Sequence, residues 1–450
     1  MWVVALGAVL AIGVALATGA LQLRRDSFFL LFYLQSVAYL NIAPTLAAPD
    51  VNVALQERYV WIQSWAFVLF QLPLLLLYCT LIRRRARHAA ATRSFVFSRW
   101  RLQLFIGGAM VLGVGYFVVA ARYGVVYRRI GGEELAAAQL RMSLPELAVY
   151  RTFLELGTFI SAALLLVLRL PSNISPAFQR IARVGFAGAT FLWLAYAATN
   201  SRLSAAMTIA MLYAVMNVTA RTGRKFDPQL VMGAVLVVVG VVYTMQVVSN
   251  IRLSYSTGGG LFALENFLPI GSQGGQLDDT LRWRMNGIDL IAIIAENVET
   301  QGAAHGGAWA VPFVLSLDPI VRTPFTLAAK AAALTSAKSW LLLRYGGVSK
   351  TDYYSCMLSD AYGNFSIYGF LFAAAVSAFV LAIATGALSW SGSPAAICLG
   401  LFALTRILPF EQEFSTLLFG WLKLIPFVLL GVAFYPLRRN RQPAPAVVAP

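Results

Sequence analysis

Eleven arginines stand on one side of a series of long apolar runs, in the linking stretches or at a run's end, on one reading of the chain: Arg122, Arg128, Arg129, Arg141, Arg151, Arg202, Arg252, Arg282, Arg284, Arg322 and Arg344. A guanidinium presents paired donors in a planar fork that matches phosphate oxygens. A set of them on one side of a protein points to an anionic ligand, with a diphosphate the natural candidate. Ion pairing with acids of the same loops is the competing reading for each arginine taken singly. Groups that could move a proton lie in the same region. His305 sits in the glycine-rich stretch Gly302-Ala303-Ala304-His305-Gly306-Gly307, and Glu299 and Asp360 flank it in sequence. An imidazole or carboxylate there could act as general acid or base. An incidental surface histidine and a helix-capping aspartate are the plain alternatives.

Other chemistries find no residues to run on. His88, the second histidine, lies among basic residues far from His305 in sequence. Cys79, Cys356 and Cys398 have no metal-ligand spacing. There is no HExxH, no Walker loop and no GxSxG, so ATP use and serine hydrolysis have no support and no metal or other cofactor is expected. The net charge of +16 would point to nucleic acid in a soluble protein. Topology gives that charge another meaning here, and no nucleic-acid partner is expected.

Two further constellations involve arginine. Thr199-Asn200-Ser201-Arg202 joins two apolar runs. Asn200 or Ser201 could cap the next helix, whose amino terminus, with Arg202, would offer N–H groups and a positive dipole end to an anion. An ordinary capped turn touching a lipid phosphate is the alternative. Leu281–Glu299 reads as an amphipathic helix: Leu281, Met285, Ile288, Ala292 and Ala295 share one stripe, and Arg282, Asn286, Asp289 and Glu296 another. Such a helix could lie in the interface beside a lipid-linked ligand. Trp283, Trp309, Tyr353 and Tyr354 could stack on sugars or anchor the interface.

The elements that must position these residues are membrane spans. The 450 residues are 59% apolar and only 12% charged, against about 25% charge in soluble domains. Mean hydropathy is +0.71. Repeated apolar runs of the length a bilayer needs predict an all-α polytopic integral membrane protein of about eleven transmembrane helices. They are expected near 1–21, 27–46, 59–82, 102–121, 148–168, 181–199, 203–219, 230–249, 364–388, 394–410 and 414–436. Residues 1–249 then hold the first eight spans and 364–436 the last three. Residues 250–363 form a large external loop containing amphipathic helices, and 437–450 a disordered cytoplasmic tail. Loops 22–26, 83–101, 169–180, 220–229 and 387–393 share a side with that tail and carry many of the remaining arginines. The positive-inside rule therefore puts the amino terminus outside and the carboxyl terminus in the cytoplasm. The basic cytoplasmic clusters read as orientation signals and contacts to anionic membrane lipids.

Asp360-Ala-Tyr362-Gly-Asn364-Phe365-Ser366-Ile-Tyr-Gly369 resembles the acid-x-Tyr-x-Asn-Phe-Gly-x-x-Gly signature of Wzy-type O-antigen and oligosaccharide-repeat-unit polymerases, with Ser366 where that family usually has glycine. Asn200-Ser201-Arg202-Leu203-Ser204 resembles the family's short Ser-Arg-Ser turn between middle spans. Leu317-Asp318-Pro319-Ile-Val-Arg322, with Pro324 and Lys330, loosely resembles its Pro-Arg-x-x-x-Pro-x-Lys loop region, although proline and arginine are not adjacent.

The resemblance implies a GT-C-like membrane glycosyltransferase of the inner membrane. It would transfer a glycan from one undecaprenyl-diphosphate-linked oligosaccharide to another at the outer, periplasmic face, alongside a chain-length regulator protein. Arg202, Arg252, Arg282 and Arg322 are the expected diphosphate-binding residues. Asp360, His305 and Glu299 are the expected proton acceptors, with Arg151, Arg284, Tyr362 and Asn364 shaping the substrate site. A related lipid-linked glycan ligase, a polysaccharide flippase or transporter, and a non-catalytic assembly scaffold are the alternative readings.

Overall fold

The computed structural model describes residues 1–23, 25–86, 99–124, 141–169, 175–200, 286–317, 336–346, 356–390, 394–410 and 412–419, with a few isolated positions elsewhere. Among the described residues the chain is helical, with no strand. Three segments of the described residues are long and apolar enough to cross a membrane: Ser27–Asp50, Val53–Arg83 and Tyr368–Leu388. Pro145–Leu154 and Leu156–Leu165, bent by 61°, make a fourth if counted together. Helices also occupy the positions expected for the first, fourth, sixth and tenth spans. Most of the seventh, eighth and last expected spans lies outside the described residues, as does the tail.

Packing divides the chain into two compact units. One comprises residues 1–88, 268–386 and 402–426, and the other 89–267, 387–401 and 427–450. The described part of the expected external loop therefore packs in the same unit as the first three spans.

In the first unit α1 (Trp2–Ala17) is followed by α2 (Ser27–Val37). A π-helical turn, Ala38–Ile42, leads into α3 (Ala43–Ala47). Then come α4 (Val53–Ala66), a second π turn, Phe67–Gln71, and α5 (Leu72–Ala86). Asn52 caps α4 by accepting from the Leu55 N–H at 2.8 Å. Large rings fill the interior: Phe29 stacks on Tyr78 with centroids 4.0 Å apart, and Phe410 packs on Phe32, Tyr39 and Phe70. A buried carboxylate, Asp26, pins the start of α2. It accepts from Arg25, the Gln22 N–H and the Tyr78 hydroxyl.

The second unit contains α6 (Arg99–Arg122), α7 (Leu144–Arg169) and α8 (Pro176–Asn200), packed mutually. Tyr116, Phe153, Tyr150 and Trp193 form its aromatic core. Their stacked and edge-on geometry adds about 0.5–1.5 kcal/mol per pair beyond burial. Gly157 leaves room for the Trp193 ring. Before α7, Ser143 and Glu146 make a local cap: Glu146 accepts from the Ser143 N–H and hydroxyl, the Tyr123 hydroxyl and Arg122. Arg122 therefore sits in an ion pair of 2.7 Å with an acid of its own loop.

Later elements of the first unit are α9 (Asp289–Gln301), α10 (Gly307–Leu317), α11 (Ala337–Gly346) and α12 (Met357–Phe365), followed by α13 (Tyr368–Trp390). After α14 (Pro394–Ile407) comes the short α15 (Phe414–Phe419).

Two expected boundaries change. The amphipathic helix starts at Asp289, not Leu281, because Asn286-Gly287-Ile288 is a turn. Asn286 Oδ1 accepts from the Ile288 N–H, and the Gly287 N–H donates to the Tyr39 carbonyl. A side chain at Gly287 would collide with Cys356, so the close approach needs glycine. The Asp360–Phe365 run does not open the ninth span either. It forms its own buried helix, α12, and the chain turns at Ser366 before α13 begins.

Candidate functional site

The corner between α12 and α13 follows from three residues of the quoted signature. Ser366 closes α12 with φ 52° and ψ −144°. This region is essentially reserved for glycine, because a Cβ crowds the backbone there. Gly369 stands in the first turn of α13 against α12. A Cβ on Gly369 would overlap the Ala361 carbonyl group. Gly363 similarly gives way to the Leu341 side chain of α11. Ser366→Gly is expected to stabilise the protein by about 1 kcal/mol, read as a raised midpoint of thermal unfolding in detergent. An unchanged or lowered midpoint would count against strain at this turn.

Inside the corner Asp360 is a hub. It is 1% exposed, and both carboxylate oxygens are occupied. The Phe414 N–H donates to Oδ1 at 2.9 Å. The Ser415 N–H and the Trp309 indole N–H donate to Oδ2 at 2.7 and 3.1 Å. Asp360 thus caps α15 and anchors α10. Beside it, Glu413 accepts from the Ala337 and Lys338 N–H groups at 2.9 and 3.3 Å, capping α11. The Ser415 hydroxyl links the pair by donating to Glu413 at 3.2 Å.

Burial, then the neighbouring Glu413 carboxylate, push the Asp360 carboxyl up to about 7, against the pull of its three N–H donors. An unfolded aspartate titrates near about 4. Between those values the folded state holds a proton that the unfolded chain has lost, so stability falls as pH rises through the window. Glu413→Gln removes the adjacent negative charge and keeps an oxygen for α11. It is expected to shrink that fall, measured as unfolding midpoints at about pH 5 and about pH 8. An unchanged pH slope would contradict the coupling.

Asn364 extends the hub. Its Oδ1 accepts from the Ala308 N–H at 3.2 Å, and its Nδ2 donates to the Asp360 carbonyl at 2.7 Å. The Asn364 carbonyl accepts from the His305 N–H, and the Gly363 carbonyl from the Ala304 N–H, both at 2.9 Å. The loop carrying His305 is therefore tied to α12 by backbone bonds. His305 itself is exposed and adopts φ 47°, between glycines at φ 79° (Gly302) and 89° (Gly306).

Tyr362 is fully buried. Among the described residues its hydroxyl has no hydrogen-bond partner, although the Ser366 side chain approaches it without meeting bonding geometry. Burial raises its pKa, the charge of Glu299 adds to the rise, and Arg58 opposes it. Glu299 is exposed on α9. Arg58, on α4, carries no mark in the sequence that singles it out. It donates to the Ala292 carbonyl at 3.2 Å and meets Glu296 at 3.4 Å. One residue on, Tyr59 donates to Asp289 at 2.7 Å and accepts from Asn286 at 3.1 Å. These bonds join residues more than 220 positions apart, and nothing local in the sequence marks them.

The structure thus brings Asp360, Tyr362, Asn364, the His305 loop and Glu299 into one neighbourhood. Arg202, Arg252, Arg282, Arg284 and Arg322 lie outside the described residues, as do Trp283, Tyr353 and Tyr354. Arg151 lies in α7, its side chain outside the described set. Arg344, at the end of α11, stacks on Trp340 and Tyr345 at 5.1 and 5.4 Å. Among the described residues no group of three His, Cys, Asp or Glu side chains is placed to hold a metal ion.

No protein-family model, curated protein or solved structure matches the chain. The family resemblance rests on the quoted motifs.

Proposed function

We propose that the chain is an inner-membrane polysaccharide polymerase of the GT-C kind, with about eleven spans. Its amino terminus is periplasmic and its carboxyl terminus cytoplasmic. It joins undecaprenyl-diphosphate-linked oligosaccharide repeat units on the outer face, without a metal cofactor. One observation carries this reading: the signature residues 360–369 form a corner, buried over 360–364, that leads into a span-length helix, and the exposed His305 loop is hydrogen-bonded onto it. Packing of that kind presents a proton acceptor from a fixed scaffold at the end of a span.

In the reaction, the acceptor sugar's hydroxyl oxygen attacks the anomeric carbon of the donor glycan. The bond from that carbon to the diphosphate breaks, and undecaprenyl diphosphate leaves with the bonding electrons. The hydroxyl proton passes to a base on the protein. We assign the base to His305 or Glu299, which are exposed. Asp360, with both oxygens occupied, acts as the positioning residue beneath them. Arg202, Arg252, Arg282 and Arg322 neutralise charge growing on the leaving diphosphate, which helps the transition state more than the ground state. Arg58 joins them as a candidate because its charge reaches the Tyr362 hydroxyl from its place beside Glu296.

The test is complementation in a host lacking its own polymerase, reading surface glycan length on a gel at matched membrane expression. Wild type should give a ladder. His305→Ala or Glu299→Gln should shorten it by about 10²-fold lower polymerisation rate, the usual size of a general-base contribution. A full ladder from both variants would remove both from the role. A wild type needed even for a single surface repeat unit would favour the ligase or flippase reading.

A further inference from the structure

Away from the corner, the two spans Ser27–Asp50 and Val53–Arg83 carry a second polar centre. Each span contains a π-helical turn, closed by the Ala43 N–H on the Ala38 carbonyl and by the Leu72 N–H on the Phe67 carbonyl. Such turns widen a helix by one residue and are frequent at functional positions. The two turns face each other through their amides: Gln71 Nε2 donates to Asn41 Oδ1 at 2.7 Å. Gln63, two turns before Gln71, donates to the Asn41 carbonyl at 3.1 Å and to Thr45 at 3.2 Å. Thr45 and Ser36 both bond back to carbonyls of their own helix, of Asn41 and Tyr33, which bends a helix locally. Asn41, Gln63 and Gln71 are all 0% exposed.

Among the described residues three atoms of this network have no partner: Asn41 Nδ2, Gln63 Oε1 and Gln71 Oε1. At membrane depth no bulk water reaches them, and each orphaned polar group is destabilising. The set comprises one donor group and two acceptors, on amides linked through Asn41: Gln71 bonds its side chain and Gln63 its backbone carbonyl. A cation does not suit it, because the Asn41 amide nitrogen belongs to the set and Asn41 Oδ1 is already used by Gln71. An apolar ligand leaves every atom unsatisfied. A single water carries the matching complement: two O–H groups for the Gln63 and Gln71 oxygens, and a lone pair for the Asn41 N–H. Three bonds is the usual number for a buried water.

We infer that the facing π turns form a binding site for one ordered water, held by Asn41, Gln63 and Gln71 within the membrane-spanning pair. It serves as a structural ligand that keeps the two turns in register.

The test is an experimental structure of the full chain in lipid nanodiscs, at a resolution that shows ordered waters. A single peak within hydrogen-bonding distance of the three atoms is expected. Amides re-paired directly with one another, with no peak between them, would overturn the site. In Gln63→Met the peak should weaken or vanish, and undiminished density there would contradict the role of Gln63. Thermal unfolding in sodium, potassium and N-methylglucamine chloride should give the same midpoint. A rise specific to sodium or potassium would assign the density to a cation and overturn the water.

Discussion

Gly369→Ala is expected to prevent α13 from docking on α12, at a cost of about 3 kcal/mol or more, the upper range for overpacking against atoms that cannot move aside. The added methyl would overlap the Ala361 carbonyl group, which is backbone inside a buried helix. No rotamer change relieves that contact. The result should be a protein lost from the membrane fraction, or one with a sharply lowered unfolding midpoint. Gly13→Ala is the control. It also sits within a helix, and among the described residues nothing lies within 4 Å of the position its methyl would take. Alanine there should be neutral or stabilising by up to about 1 kcal/mol, through helix propensity. Equal tolerance of both substitutions would contradict the close approach at the corner.

Asp360→Ala should be comparably damaging. It leaves the N–H groups of Phe414, Ser415 and the Trp309 indole buried without an acceptor. At about 1–3 kcal/mol for each orphaned group, the loss is about 3 kcal/mol or more. Asp360→Asn keeps one oxygen but turns an amide N–H toward a donor, so it should fall between alanine and wild type. Activity should follow folding across this series: once expression is matched, Asp360→Asn should keep the wild-type pH profile of polymerisation. A well-folded Asp360→Asn with rate reduced by about 10²-fold would instead give Asp360 the proton-transfer role itself.

What the sequence makes readable depends on whether the cause is local. Continuous apolar runs report spans directly, because a bilayer fixes their length. Segments 27–50, 53–83 and 368–388 emerge close to their expected places. The π turns at Ala38–Ile42 and Phe67–Gln71 leave no sign in the apolar pattern, although Asn41 and Gln71 are polar residues inside it. The start of α9 is legible but easily overrun: Asn286-Gly287 is a turn signal, yet the apolar stripe from Leu281 continues in phase across it.

The resemblance in 360–369 locates the corner without showing what its residues do. Ser366 and Gly369 answer to backbone conformation and clearance, which the motif implies only once the chain is folded. The partners of Asp360 are the least legible. Trp309 and Ser415 lie 51 and 55 positions away, and neither has a local pattern tying it to a carboxylate. Arg58 is hidden for the same reason, since its partners on α9 lie 234 and 238 positions along the chain.

The decisive measurement is reconstitution of the purified full chain in liposomes with undecaprenyl-diphosphate-linked repeat units from its own host, following lipid-linked products by mass. The expected outcome is a lipid carrying two or more repeat units, with one undecaprenyl diphosphate released for each unit added, and loss of both signals in the His305→Ala, Glu299→Gln double variant. Repeat units that cross the bilayer unchanged, or that appear only on a different acceptor, would contradict polymerisation and turn the same corner into part of a transporter or a ligase.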